Sequence, residues 1–171
     1  KYGGGTSTGR KPGFFHMGGQ SGPIGFPEQL DTPYTYETLA PKGLAVGSGA
    51  IVVLDDSVCI VEYIQKVFEF FVHESCGKCT PCRLGTTRIL ELLTDFVEGR
   101  AKDGDVERLE YMARQVSQLS ACGLGQSVNV ALMSALRHRR GDFEAHINGG
   151  ACPAGACACH ENGRNKACLT I

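Results

Sequence analysis

Three cysteines at two-residue steps, in Glu74-Ser75-Cys76-Gly77-Lys78-Cys79-Thr80-Pro81-Cys82-Arg83, constrain this 171-residue chain more than any other feature. The spacing lets a short backbone curl around one point, with Gly77 relieving the crowding, so that all three thiols face the same small inorganic core. A cubane iron–sulfur cluster takes four thiolates, and a short loop can provide three of them. The natural fourth is Cys122, in the turn Ser120-Ala121-Cys122-Gly123-Leu124-Gly125 between two helical patterns. The expectation is a [4Fe-4S] site of Cys76, Cys79, Cys82 and Cys122. Zinc is the rival, but structural zinc favours two separated cysteine pairs, or a pair with histidines, over three even steps and a lone fourth thiol. Disulfides fit less well. The cysteines number nine, and no secretory signal with an apolar core precedes them.

Charge excludes little beyond nucleic acid. Seventeen basic against eighteen acidic residues leave a net charge of −1, which argues against electrostatic nucleic-acid binding as the main task. The longest apolar runs, such as Ala50-Ile51-Val52-Val53-Leu54, are too short to span a bilayer. The reading is of a soluble, cytoplasmic protein whose many thiols serve metal rather than cross-links.

The glycine distribution divides the chain, with loop-rich ends and a helical middle. Residues 1–13 have no apolar periodicity and read as a flexible glycine-rich segment. A phosphate-binding loop there is disfavoured because no strand precedes Gly3 to Gly5 and no periodic helix follows. Residues 14–54 read as a small β-rich unit. It has a strand at Phe14 to Met17, a turn at Gly18 to Pro23, a short helix near Tyr36 to Leu39 and a buried strand at Ala50 to Leu54. From residue 55 to 142 the apolar period becomes helical. Asp56 or Ser57 is expected to cap a helix bearing Ile60, Val61, Ile64, Val67, Phe68 and Phe71. A second helix starts near Pro81, a third is capped by Asp105, and a fourth runs from after Cys122 to the basic stretch Arg137-His138-Arg139-Arg140, read as cations compensating a helix C-terminus. The predicted fold is α+β: a small β unit, then a four-helix bundle with the cluster at one end.

Residues 143–171 form a Cys/His-rich tail with little apolar material. A second metal site of Cys59, His146, Cys152 and Cys157, a zinc-type Cys3His set, would staple the tail to the bundle. A set using Cys159, His160 and Cys168 is the alternative, and free cysteines in a frayed end are the third reading.

The decapeptide around Cys76, Cys79 and Cys82, taken with Cys122, resembles the C-terminal iron–sulfur region of the flavin subunit of NADH:quinone oxidoreductase. Gly18-Gly19-Gln20-Ser21-Gly22 and Gly47-Ser48-Gly49-Ala50-Ile51-Val52-Val53 look like that subunit's soluble-ligand-binding β-grasp region. Asp55-Asp56-Ser57-Val58-Cys59, Phe143-Glu144-Ala145-His146-Ile147 and Cys152-Pro153-Ala154-Gly155-Ala156-Cys157 suggest the NAD-linked, often electron-bifurcating hydrogenase and formate dehydrogenase variants. The resemblance covers roughly residues 13 to 157.

It implies electron transfer between a flavin and later iron–sulfur centres. The cluster ligands would be Cys76, Cys79, Cys82 and Cys122, with Lys78, Arg83 and loop N–H groups raising the potential; a solvated helix-start surface is the other reading of the two cations. It also implies FMN and NAD(P) on a domain this chain lacks, a β-grasp unit without its first strands, and other subunits as partners, among them a [2Fe-2S] thioredoxin-like one. Alone, such a chain is not expected to oxidise NADH. Hydrogenase-type relatives often continue into a ferredoxin-like domain, a departure at Cys168-Leu169-Thr170-Ile171. The competing function is a metal-stabilised docking scaffold without a redox role.

Overall fold

A computed structural model describes residues 4–157. Its strands and α-helices are β1 (Pro12–Met17), β2 (Ile24–Gly25), α1 (Tyr36–Leu39), β3 (Ile51–Asp55), α2 (Ile60–Glu74), α3 (Thr80–Val97), α4 (Asp105–Leu119), α5 (Gly123–Gln126) and α6 (Asn129–Glu144). The fold is α+β. The antiparallel sheet has the order β2-β1-β3, with Phe15 opposite both Gly25 and Val53. The long helices pack in a ring, α2 on α3, α3 on α4, α4 on α6 and α6 on α2.

β1 is central and therefore buried on both faces. Phe14 joins the helical core while Phe15 and Met17 face a smaller cluster with Leu39 and Leu44. The sheet is tied to the bundle by polar contacts as well. Ile24 N–H donates to Ser134 Oγ at 2.8 Å, and His16 Nδ1 lies 2.9 Å from the Tyr63 hydroxyl. His16 Nε2 faces the Gly22 carbonyl, which can only accept, so Nε2 carries the proton and Nδ1 accepts from Tyr63. Burial lowers the His16 pKa and keeps the ring neutral, as that pairing requires. The opening segment is fastened to the start of the bundle through Thr8 on Asp55 and Arg10 on Asp56.

Local expectations change in several places: α4 has Gly104 as its N-cap with Asp105 as its first residue, and the stretch after Cys122 forms two helices, α5 and α6. β3 is not a buried strand: it lies at the sheet edge, and Ile51, Val52 and Val53 are 50, 52 and 46% exposed. α2 starts at a Cys59 N-cap rather than at Asp56 or Ser57, because the Asp55 carboxylate takes the Ser57 N–H and hydroxyl and holds that stretch in a turn. The basic stretch does not end a helix. α6 continues to Glu144, irregular at Arg139, since Phe143 still has a core partner in Phe96. Its cations are spent laterally: Arg140 on Glu107, Glu110 and Glu144, and Arg139 on the Phe26 ring at 4.5 Å and on Glu28.

The Phe96 and Phe143 rings meet edge-on at 6.1 Å, both fully buried, and join α3 to α6. Phe96→Ala is expected to cost about 3–5 kcal/mol in denaturant unfolding. Tyr111→Ala, 64% exposed on α4, should stay within about 0.5 kcal/mol of the parent.

Candidate metal centres at the two ends of the bundle

The loop Ser75 to Cys79 leads α2 into α3, and the loop Ser120 to Cys122 leads α4 into α5, so both lie at the same end of the bundle. Gly77 turns the first loop in the left-handed region, φ 74°, where a side chain would be strained. Arg83 donates back to the Gly77 carbonyl and braces it, while Lys78 is exposed. Cys79 is the N-cap of α3, a position whose unpaired N–H groups favour a thiolate. Cys82 lies within the first turn with its side chain buried; Cys76 and Cys122 are exposed.

Contacts of Cys79 and Cys82 join the two loops. Hydrogen bonds from the backbone N–H groups of Ala121 and Cys82 hold the Cys79 pKa below the ordinary thiol value. Gly125, in α5, seats the second loop on α3. A Cβ there would stand 3.3 Å from Cys82 Cβ and 2.4 Å from both Ser120 Cβ and Oγ. Cys82 Sγ also lies 3.4 Å from Ser75 Oγ. This end thus combines a favoured thiolate, converging N–H donors and a buried hydroxyl without a protein partner, a donor set that suits an anionic iron–sulfur group.

The other end holds Cys59, His146, Cys152 and Cys157. All four are buried, with donor atoms within 4.8 Å of one another, the one Cys/His/Asp/Glu group so close among the described residues. His146 Nε2 lies 3.5 Å from Cys59 Sγ and 3.4 Å from Cys157 Sγ. Nδ1 lies 2.6 Å from the Asp142 carbonyl, so it carries a proton and Nε2 is turned to the sulfurs. Burial works against a charge on His146, but hydrogen bonds with Cys152 and Cys59 outweigh it and push its pKa up to about 10. Cys152 is lowered, chiefly by its hydrogen bond with Cys157, and Cys157 is raised by the same contact. A cation at the shared point would displace these protons. Cys159, His160 and Cys168 lie outside the described residues.

Residues 62–146 match the family described as the NADH-ubiquinone oxidoreductase-F iron-sulfur binding region. These residues form a domain of that family. The F subunit of the NADH-quinone oxidoreductase of Streptomyces coelicolor is 37% identical over 150 residues, which cover 88% of this chain and 33% of the relative. The NADP-reducing hydrogenase subunit HndC of Solidesulfovibrio fructosivorans is 34% identical over 155 residues, covering 91% and 32%. Among solved structures, an NAD+-reducing [NiFe]-hydrogenase in the air-oxidized state aligns with a TM-score of 0.72 and 31% identity, over 81% of this chain and 24% of that one. The chain spans about a third of the length of these curated relatives. All four cluster-motif cysteines fall inside the matched iron–sulfur region, whereas Cys59, Cys152 and Cys157 fall outside it. No described helix is long and apolar enough to cross a membrane.

Sequence reasoning passed over Ser120 and Gly125 as working parts of the iron–sulfur end. Only their place directly around Cys122 pointed to them. Gly125→Ala is expected to push α5 off α3, costing about 1–3 kcal/mol of stability and exposing Cys82. The measurement is the rate of Cys82 alkylation mapped by mass spectrometry in metal-free protein; an unchanged rate would contradict this seating.

Proposed function

We propose that the chain holds a [4Fe-4S] cluster on Cys76, Cys79, Cys82 and Cys122 and works as a one-electron relay in an NAD(P)H-linked oxidoreductase assembly. The observation that carries this reading is the meeting of the two cysteine loops inside the matched iron–sulfur region, with Gly125 seated between Ser120 and Cys82. When bound, such a cluster supplies a one-electron couple. The surrounding residues hold and bias the site. Gly77 and Arg83 shape the first loop, and Gly125 keeps the second against Cys82. Lys78 and Arg83 place positive charge where a reduced centre gains negative charge. Cys76 and Cys122 lie at the surface, where the redox centre of another subunit can approach.

The same reading assigns FMN and NAD(P) to the part of the relatives that this chain does not span. It assigns residues 14–54 to a partial β-grasp unit, 55–142 to the iron–sulfur domain and 143–171 to a metal-binding tail. Neighbouring subunits, one of them a [2Fe-2S] thioredoxin-like protein, are its partners. A cytoplasmic setting belongs to it too, supported by the seven described cysteines all being free thiols. Anaerobic reconstitution with iron and sulfide should give about four irons per chain and an electron paramagnetic resonance signal on reduction, and Cys79→Ala should abolish both. Iron content unaffected by that substitution removes the assignment. Bound metal that no reductant alters would favour a docking scaffold instead.

Zinc at Cys59, His146, Cys152 and Cys157 is the second part of the proposal. Donors about 2.0 to 2.3 Å from a tetrahedral zinc stand roughly 3.5 to 3.8 Å from each other, close to the separations at His146, whereas a cubane would need far more room. A metal here would join the start of α2 to the segment after α6, at the opposite end of a 15-residue helix from the cluster loops, about 22 Å away. That distance favours a structural staple over a place in the electron path. Metal analysis should find zinc equimolar with the chain and lost in His146→Ala; zinc retained by that variant refutes the ligand set.

A further inference from the structure

Ser120 stands out when the polar groups are accounted for one by one. Its backbone is satisfied: the N–H donates to the Val116 carbonyl at 3.1 Å, closing α4, and its own carbonyl accepts from Gln126 Nε2 at 3.1 Å. Its side-chain hydroxyl is not. Among the described residues, Ser120 Oγ is the one buried side-chain oxygen or nitrogen with no hydrogen-bond partner.

The residue is only 5% exposed, and Gly125 packs against its side chain so closely that no Cβ would fit between them. Alanine would pack and end α4 equally well. A buried hydroxyl that makes no bond costs free energy, and a persistent one marks a partner still to be supplied. Sulfur is the candidate: Ser120 stands two residues before Cys122, and one point beside Gly125 lies 2.4 Å from its Oγ and 3.3 Å from Cys82 Cβ.

We propose that the Ser120 hydroxyl donates a hydrogen bond to a sulfur of the bound cluster and sets its reduction potential. This rests on the cluster assignment made above. The sign follows from charge. Reduction adds an electron to the cluster and its thiolates, and a donor aimed at one of them stabilises the reduced form more than the oxidised form, raising the potential. Ser120 is thus a positioning residue acting through the cluster's sulfur.

The test is a redox titration monitored by electron paramagnetic resonance on the reconstituted 171-residue chain, comparing the parent with Ser120→Ala and Ser117→Ala. Ser117 shapes the same loop, but its hydroxyl is spent on the Gln126 carbonyl. Ser120→Ala should lower the reduced-to-oxidised ratio at fixed solution potential about tenfold, a midpoint about 59 mV more negative for a one-electron couple, while Ser117→Ala leaves it in place. Double-resonance spectra in deuterated buffer should lose one exchangeable proton coupling in Ser120→Ala. A cluster with unchanged midpoint in Ser120→Ala overturns the proposal and leaves the cluster assignment standing. A parent chain that takes up no cluster defeats the assignment itself, and this proposal with it. If Ser120→Ala and Ser120→Gly assemble no cluster, Ser120→Thr decides. Assembly there supports the hydroxyl's role, and failure in all three overturns it, because packing is then what the position provides.

Discussion

The iron–sulfur end depends on one close approach, that of the Ser120 to Gly125 loop to the first turn of α3. Two things make it possible. Gly125 has no side chain where one would strike Ser120 and crowd Cys82, and the N-cap of α3 presents the Cys79 thiol to the Ala121 N–H. The ring of four long helices sets both loops at one end of the bundle. Its aromatic core, with Phe68, Phe71, Phe96 and Phe143 buried, fixes the helix ends from which the loops depart. A rigid core is what a four-thiol site needs, since thiols on two separate loops share one inorganic group only if their helices cannot slide.

The two ends of the bundle show how ligand spacing and environment select different chemistry. At one end two cysteines are exposed and backbone N–H groups meet the thiol of a third, conditions that suit a large anionic group able to exchange electrons with the outside. At the other end four buried donors crowd to within 4.8 Å around a histidine whose outer nitrogen is anchored on a backbone carbonyl. That is the environment of a single cation closed off from solvent. The neighbouring carboxyls respond to the same enclosure: burial raises the pKa of both Glu62 and Asp142.

Much of this was legible in the residues. The step of two between Cys76, Cys79 and Cys82 is a purely local pattern, as is the apolar repeat that became α2, so both could be read without coordinates. Grouping Cys59 with His146, Cys152 and Cys157 needed only ligand chemistry and a tail with nothing else to fold on, and the chain does bring those donors together. Other features were misread because neighbours in space decided them. Ile51 to Val53 have the composition of a buried strand and lie at an exposed edge. The cations from Arg137 to Arg140 look like a helix end, yet α6 runs on, since the acids of α4 and the ring of Phe26 receive two of them. Nothing in the sequence marks the Ser120 hydroxyl as unpaired, because that is a statement about every group around it.

Sequence alone determined which donors the chain carries, their local spacing and the helical periodicity between them, since these follow from covalent order and from the 3.6-residue repeat. It thereby pointed to sulfur ligation of metal, and the matched region points to iron. Tertiary structure decided which distant loops meet, which thiols are exposed, and that the two sites occupy opposite ends of one bundle. Those outcomes depend on how helix faces pack, on a missing Cβ at Gly125 and on the tautomer imposed on His146 by Asp142, all contacts that only the folded chain brings about.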